Sequence, residues 1–219
     1  LPKSIRSFFA FSNGEESEGS LMGHFVKRKP VVMAFKKLVT PVFRASFPKV
    51  FTPESFDGGP LKYSVSAVWD PSRFTKKEKE LWQAMLDLAD DVSVDMFKKK
   101  IADLPGNVKT PLRDGEEKAD LEGYGEGTMF CNLSSKMQPG IIDKDRNDIL
   151  DASEFYPGCY ARATISAYAY DNKGKGVAFG LQNLQKVADG DRLDSRTEAS
   201  EDFDEADDDR WGSSDPLDD

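Results

Sequence analysis

The chain has 219 residues, of which 38% are hydrophobic and 32% charged, with a formal net charge of −9. That length suits one well-filled domain with appendages, and the composition combines a folded body with polar segments that cannot build a core. No apolar run approaches the roughly 20 residues a membrane helix needs, and "SFFAF" at 7–11 is too short for a secretory signal core.

The charge is divided along the chain. From Asp189 onward there are 14 acidic and 3 basic residues, a balance of −11, which leaves 25 acidic and 27 basic residues, or +2, in 1–188. A partner meets local charge within a Debye length of about 8 Å, so the overall acidity does not exclude nucleic acid. Cys131 and Cys159 are too few for a disulfide framework, and both sit in apolar, strand-like surroundings. They read as reduced core thiols of a cytosolic protein.

Residues 1–25 hold the polar, glycine-rich "SNGEESEGSLMG" and are expected to form a mobile N-terminal segment. A folded domain is expected over 26–193. Its first stretch, 26–51, reads as strand interrupted at Pro41, with Phe43, Ala45 and Phe47 on one face and Val42, Arg44 and Ser46 on the other. Turn residues make 52–61 a loop, and "KYSVSAVW" at 62–69 alternates as a second strand. Thr75 followed by Glu78 is a capping box that opens a helix over 75–103. Leu81, Met85, Leu88 and Val92, widened by Trp82 and Ala89, form its apolar stripe, Lys98–Lys100 suit its last turn, and Pro105-Gly106 stop it.

Residues 127–136 give a third strand, with Met129, Cys131 and Leu133 facing one way and Phe130, Asn132, Ser134 and Lys136 the other. After a long loop to Pro157-Gly158 comes "CYARATISAYAY" at 159–170, which reads as two braided sets. Cys159, Ala161, Ala163, Ile165, Ala167 and Ala169 make a small apolar face; Tyr160, Arg162, Thr164, Ser166, Tyr168 and Tyr170 make the other. "DNKGKG" at 171–176 is a hairpin turn, and 177–187 a closing strand in which Gly180 marks a bulge or a close approach. Five strands and one helix capping the end of a β core fit a small closed barrel or sandwich. Residues 194–219 are too acidic to bury a core and are expected to form a disordered tail.

Rings interleaved with cations and hydroxyls on a strand face suit a single-stranded polynucleotide, because every base has a π-face and the cations neutralise phosphates. On this reading Tyr160, Tyr168 and Tyr170 stack on bases, while Arg162, Arg44, Lys62, Lys136, Lys173 and Lys175 meet phosphates. Lys49, Phe51 and Phe56 are added by the loop between the first two strands. The alternative is that the tyrosines are cross-strand packing partners under a loop or at a dimer contact, and the pattern alone leaves both open. Phe203, Trp211 and Leu217 stand as apolar anchors around Asp207, Asp208 and Asp209 in the tail. Such a polyanion competes for a cationic groove or docks on basic sites of partners; the plain alternative is a solubility tail.

The segment "EFYPGCYARATISAYAYDNKGKGVAFGLQNLQKVADGDRL" at 154–193 closely resembles phage single-stranded DNA-binding proteins of the OB-fold type. Residues 39–70 are similar to that family's first two strands and 132–143 to its middle, so the likeness spans roughly 26–193. The resemblance implies a mainly β, five-stranded OB-fold barrel, with a helix between strands 2 and 3, that coats single strands in replication, recombination and repair. It also implies the cytoplasm of an infected bacterium, and an acidic tail that recruits DNA polymerase and helicase or primase and covers the DNA groove. The best-known tails of that family end on an aromatic residue, whereas this chain ends Leu217-Asp218-Asp219, so Trp211 or Phe203 is expected to substitute. A homodimer is a further arrangement to expect.

Other constellations are weaker. Asp143, Asp145, Asn147, Asp151 and Glu154 fall on calcium-loop positions, but Asp148 stands where that loop needs Gly, and no room is left for flanking helices. "GYGEGT" lacks the strand–helix unit of a dinucleotide fingerprint, and His24 is the only histidine. A magnesium nuclease through Asp143, Asp145 and Asp148 is a weaker third reading, since nothing in the pattern assigns a general base to work with them. The expectation is therefore a binding protein without catalytic residues, metal or cofactor, with a virion-associated or self-assembling protein as the second reading.

Overall fold

The computed structural model describes residues 32–33, 37–56, 58–172 and 174–194, the first pair as backbone only. Among these residues one sheet of ten strands is built around five long ones. The strands are β1 (Val32–Met33), β2 (Leu38–Val39), β3 (Phe43–Glu54), β4 (Lys62–Trp69), β5 (Val108–Lys109), β6 (Arg113–Asp114), β7 (Met129–Ser135), β8 (Gly140–Ile142), β9 (Tyr160–Asp171) and β10 (Lys175–Ala188). The long strands close a ring in the order β9-β3-β4-β7-β10 and back to β9, antiparallel except for the parallel β7–β10 contact. The five short strands dock outside this cycle: β1 and β2 on β9, β5 and β8 on β10, and β6 on β7. The sequence reading counted only the five long strands, because two or three residues carry no readable period.

The apolar half of the braid turns inward, as alternation requires. Ala161, Ala163, Ile165, Ala167 and Ala169 are all buried, with Val65, Ala67, Leu133, Phe179 and Leu181 from the other walls. Pro41 does break the first strand region, separating β2 from β3. Thr40 bridges the gap: its N–H donates to the Ala163 carbonyl (2.9 Å) and its Oγ1 accepts from the Ala163 N–H (3.0 Å). The expected 52–61 loop begins later than its turn residues suggest, since β3 runs to Glu54.

Two expectations about faces fail, each for a local reason. Phe47 does not join Phe43 and Ala45 in the core. Its backbone is left-handed (φ 46°), and the β3–β4 pairing loses register between Ser46 and Lys49, so Ser46 is buried and Phe47 turns out. Phe130 does not share an exposed face with Asn132 and Ser134. It is fully buried, with the Arg113 guanidinium 4.9 Å and the Lys118 ammonium 4.8 Å from its ring centroid.

Helix α1 (Lys76–Phe97) starts on the expected box. The Glu78 N–H donates to Thr75 Oγ1 (3.3 Å) and the Thr75 N–H donates to Glu78 Oε2 (3.0 Å). Met85, Leu88, Ala89 and Val92 bury its stripe in the core shared with β9 and β10. The helix ends at Phe97, well before Asp103. Lys98 takes a left-handed cap (φ 62°), and Lys99 and Lys100 lie beyond the last turn. Ser93 Oγ donates to the Lys99 carbonyl (2.7 Å) and the Asp90 carboxylate accepts from the Ile101 N–H (2.9 Å), so the chain folds back on its own helix. Cys131 and Cys159 are buried free thiols, and burial pushes their pKa values up to about 12 and about 11.

Candidate nucleic-acid interface

Where β4, β7, β10 and β9 lie side by side, register sets a row of small polar residues across the ring. Lys49 of β3 is opposite Ser64, Ser64 opposite Ser134, Ser134 beside Gly180, and Gly180 opposite Ser166. The next row holds Ser66 and Asn132, joined by a hydrogen bond from Ser66 Oγ to Asn132 Oδ1 (2.6 Å). Gly180 keeps this floor low, since a Cβ there would sit 3.1 Å from Ser166 Oγ and 3.8 Å from the Tyr168 ring. That is the close approach the sequence allowed; the register shift in β10 falls just after it, between Leu181 and Asn183.

Tyr168 and Tyr170 stand at one end of the floor, their ring centroids 6.2 Å apart and their planes tilted by 43°. Tyr170 pairs across β10 with Gly176, and its hydroxyl end lies where a Gly176 Cβ would be. A glycine partner therefore lets the ring lie across the sheet. Burial raises the pKa of both phenols, so both stay uncharged near neutral pH and put no anion beside a phosphate.

Lys62 and Lys136 line the same cavity of about 600 Å³ as the two tyrosines. Neither forms an ion pair among the described residues. Lys62 and Ser134 also border a second cavity, of about 490 Å³, whose far wall is Phe47, Lys49, Phe56 and Lys118. A third, of about 520 Å³, shares Tyr170 and Ala178 with the first and adds Lys109 and Arg113. The shared walls join the three cavities: Lys62 and Ser134 stand between the first and second, Tyr170 between the first and third, and Arg113 in the third is paired with Glu117.

The sequence-derived residues divide accordingly. Lys62, Lys136, Tyr168 and Tyr170 come together, and Lys49 joins them in the adjoining cavity, paired with Glu54 at 2.8 Å. Lys175 is exposed at the hairpin, 3.7 Å from Asp171, and Lys173 lies outside the described residues. Phe51 packs half-buried against the core, whereas Phe56 is 91% exposed. Arg162 is exposed and donates to Gln185 Oε1 (2.8 Å). The tail residues Phe203, Asp207, Asp208, Asp209, Trp211 and Leu217 lie outside the described residues, as do residues 1–25.

Tyr160 and Arg44 belong to another place. Eight residues of strand separate Tyr160 from Tyr168, up to about 26 Å at 3.3 Å per residue. Arg44 sits 5.8 Å from the Tyr160 ring centroid and donates to the carbonyls of Gly158 and Asp191. A Cβ on Gly190 would meet the Tyr160 ring at 2.8 Å. The Leu193 N–H donates to the Pro157 carbonyl (3.0 Å), and Tyr156 Oη donates to Asp189 (2.9 Å) and accepts from the Gly190 N–H (3.2 Å). Tyr160 and Arg44 thus hold down the strap 189–193. Sequence reasoning missed Phe47, Lys109, Arg113 and Lys118: the first is exposed by a bulge, and the others sit on short elements with no period.

The acidic loop closes on itself. The Asp143 carboxylate accepts from the N–H groups of Asp145 and Asn147 (2.8 Å each) and from Asn147 Nδ2 (2.8 Å), bonds that hold its pKa below the ordinary carboxylate value. Among the described residues no cluster of three or more His, Cys, Asp or Glu side chains is placed to hold a metal ion.

Comparison with known proteins gives a consistent picture. The family model described as the single-stranded DNA-binding protein of Enterobacter phage Enc34 matches residues 36–211. A curated relative, "Putative protein p50" of Acyrthosiphon pisum secondary endosymbiont phage 1, is 31% identical over 169 residues, covering 74% of this chain and 89% of its own. The fold is similar to that of the bacteriophage Enc34 single-stranded DNA-binding protein solved in complex with ssDNA, with TM-score 0.59, 21% identity, and coverage of 72% of this chain and 89% of that one. It is also similar to gp2.5, a single-stranded DNA-binding protein encoded by bacteriophage T7, with TM-score 0.52, 13% identity, and coverage of 76% and 92%. With the family model covering most of the sequence and a relative of this identity alongside it, the chain belongs to the phage Enc34 single-stranded DNA-binding protein family.

Proposed function

We propose that this chain binds single-stranded DNA without sequence preference, and that its ring of strands is an OB-type barrel with the groove as its binding face. The observation that carries the reading is Tyr168 and Tyr170 in one open cavity with Lys62 and Lys136, which form no ion pair among the described residues, above a floor of serines and glycine. Tyrosine stacking is worth roughly 1–3 kcal/mol per base and tolerates any base. Serine hydroxyls donate or accept as the neighbouring base edge requires, so the floor does not select a sequence. Family membership supports the same reading, and one solved structure of similar fold is named as a complex with ssDNA.

In this reading the protein acts by binding and not by catalysis, coating single strands during phage replication, recombination or repair in the cytoplasm of an infected bacterium. The acidic tail, with Phe203, Trp211 and Leu217 among its carboxylates, recruits polymerase and helicase or primase and competes with DNA for the groove. The test is titration of the full chain with oligo-dT, followed by intrinsic emission at two salt concentrations. Quenching that weakens steeply with salt, and is lost in Tyr168→Ala, is the expected result. Absence of binding to any oligo-dT at low salt would overturn the assignment. Removal of 194–219 is expected to tighten binding; an unchanged affinity would remove the competition role alone.

A further inference from the structure

We infer that the groove has a second stacking station at its β3 end, formed by Phe47 with Lys118 behind it, so that one strand crosses the serine floor between two aromatic ends. The inference rests on the DNA-binding reading and adds to it the far contact residues and the length of strand held.

Three observations carry it. First, Phe47 is a bulky apolar residue held half exposed (50%) in a left-handed conformation that such side chains rarely adopt. Strain of that kind gathers at binding sites, and here it turns a ring out of the core. Second, that ring faces the same cavity as Lys62 and Ser64, so it borders the path leading to the tyrosines. Third, a cation is built in behind it. Lys118 Nζ lies 5.6 Å from the Phe47 centroid, 5.3 Å from that of Tyr124 and 4.8 Å from that of Phe130, and the residue lines the open cavity. The three rings hold the ammonium in place while one side of the residue stays open to the groove. Burial and the nearby Arg113 lower its pKa, with Glu117 and Asp120 acting the other way.

Packing alone would be a sufficient account of Lys118, since a lysine stem often covers apolar surface. It does not account for Phe47, which a simple bulge would fill with glycine.

Register gives the length. From Tyr168 on β9 the path crosses β10, β7 and β4 to reach β3, four inter-strand steps or about 19 Å at 4.8 Å each. At 3.4 Å per stacked nucleotide the floor holds at most about six nucleotides, and fewer when the bases splay.

The experiment compares the full chain with Phe47→Ala, Phe47→Leu, Phe47→Trp and Lys118→Gln, measuring the affinity of labelled dT3, dT6 and dT12 by anisotropy. Wild type is expected to gain affinity from dT3 to dT6. Phe47→Ala and Phe47→Leu should lose that gain and bind dT12 about five-fold more weakly or worse, while Phe47→Trp restores both. Leucine keeps the apolar bulk, so loss in both variants is not a folding effect; melting curves check the same point. Lys118→Gln should lower the salt slope for dT12 by about 0.7, as loss of one phosphate contact on a single strand requires. Wild-type affinity for dT12 in Phe47→Ala and Phe47→Leu, with the length gain intact, overturns the second station and leaves the first. Failure of the wild-type chain to bind dT12 overturns the DNA-binding reading and this inference with it.

Discussion

The two ends of β9 look alike in sequence and do different work in the structure. Tyr160 and Arg162 begin the polar face and Tyr168 and Tyr170 end it, at the same spacing. At the far end Tyr170 lies beside its partner Gly176 and Tyr168 beside Ala178, open to a groove with two lysines that form no ion pair among the described residues. At the near end Tyr160 lies under Gly190, and Arg44 beside it is spent on the carbonyls of Gly158 and Asp191. Alternation settles which way a side chain points; what it meets is decided by the neighbouring strands and by where the chain returns. At one end that is an empty floor, and at the other the strap 189–193.

The sharpest way to break this contrast is to remove the rings from the open end. Tyr168→Ala with Tyr170→Ala is expected to weaken poly-dT binding by at least about thirty-fold, from roughly 1 kcal/mol or more per ring, with little change in Tm. At the strapped end the largest effect falls on stability instead. Gly158 has φ +111°, and a Cβ there would lie 2.0 Å from the Asp191 carbonyl oxygen. Gly158→Ala should therefore cost roughly 1–3 kcal/mol in a denaturant melt while leaving the affinity for poly-dT within two-fold. Lys62→Gln with Lys136→Gln should reduce the salt slope of binding by about 1.4, whereas Arg44→Gln should not alter it. Tyr160→Ala should change DNA affinity by less than two-fold; a loss as large as that of Tyr168→Ala would erase the distinction between the ends.

The smallest effects concern the thiols. Burial raises Cys131 to about 12 and Cys159 to about 11, from an ordinary value of 9.0. Both are protonated in folded and unfolded chains at neutral pH. Their contribution to stability is full below about pH 9 and is lost as the pH rises through 11 and 12. Thiol reagents at pH 8 should label neither in the native protein, and in Gly158→Ala mass spectrometry should find Cys159 labelled before Cys131.

Much of this architecture was legible in the sequence because it rests on long periodic elements. The Val65–Ala67–Trp69 alternation, the capped helix from Thr75, and the braid of β9 each extend over several repeats, so their inward faces could be read, although in β4 Ser66 and Val68 on the other face are buried as well. The helix end was not legible, because Lys98 ends it by a left-handed cap and no glycine or proline marks the spot. Within the candidate site, Tyr168, Tyr170, Lys62 and Lys136 could be read because each lies on the polar face of a regular strand or at its end. Phe47 could not, since one bulge reverses every face after it. Arg113 and Lys118 could not either, because the first sits on a two-residue strand and the second ends a four-residue 3-10 turn. The separation of Tyr160 from its sister residues depended on a strap whose partners lie more than thirty residues away in sequence.

The left-handed backbone at Phe47 has a consequence for evolution in the test tube. Glycine adopts that conformation freely, so Phe47→Gly should relieve the strain and give a chain at least as resistant to heat as the parent. If the ring is there for nucleotides, the sturdier protein will also be the poorer DNA binder. Selection for thermal tolerance alone would then discard the aromatic residue, and selection for function would keep it.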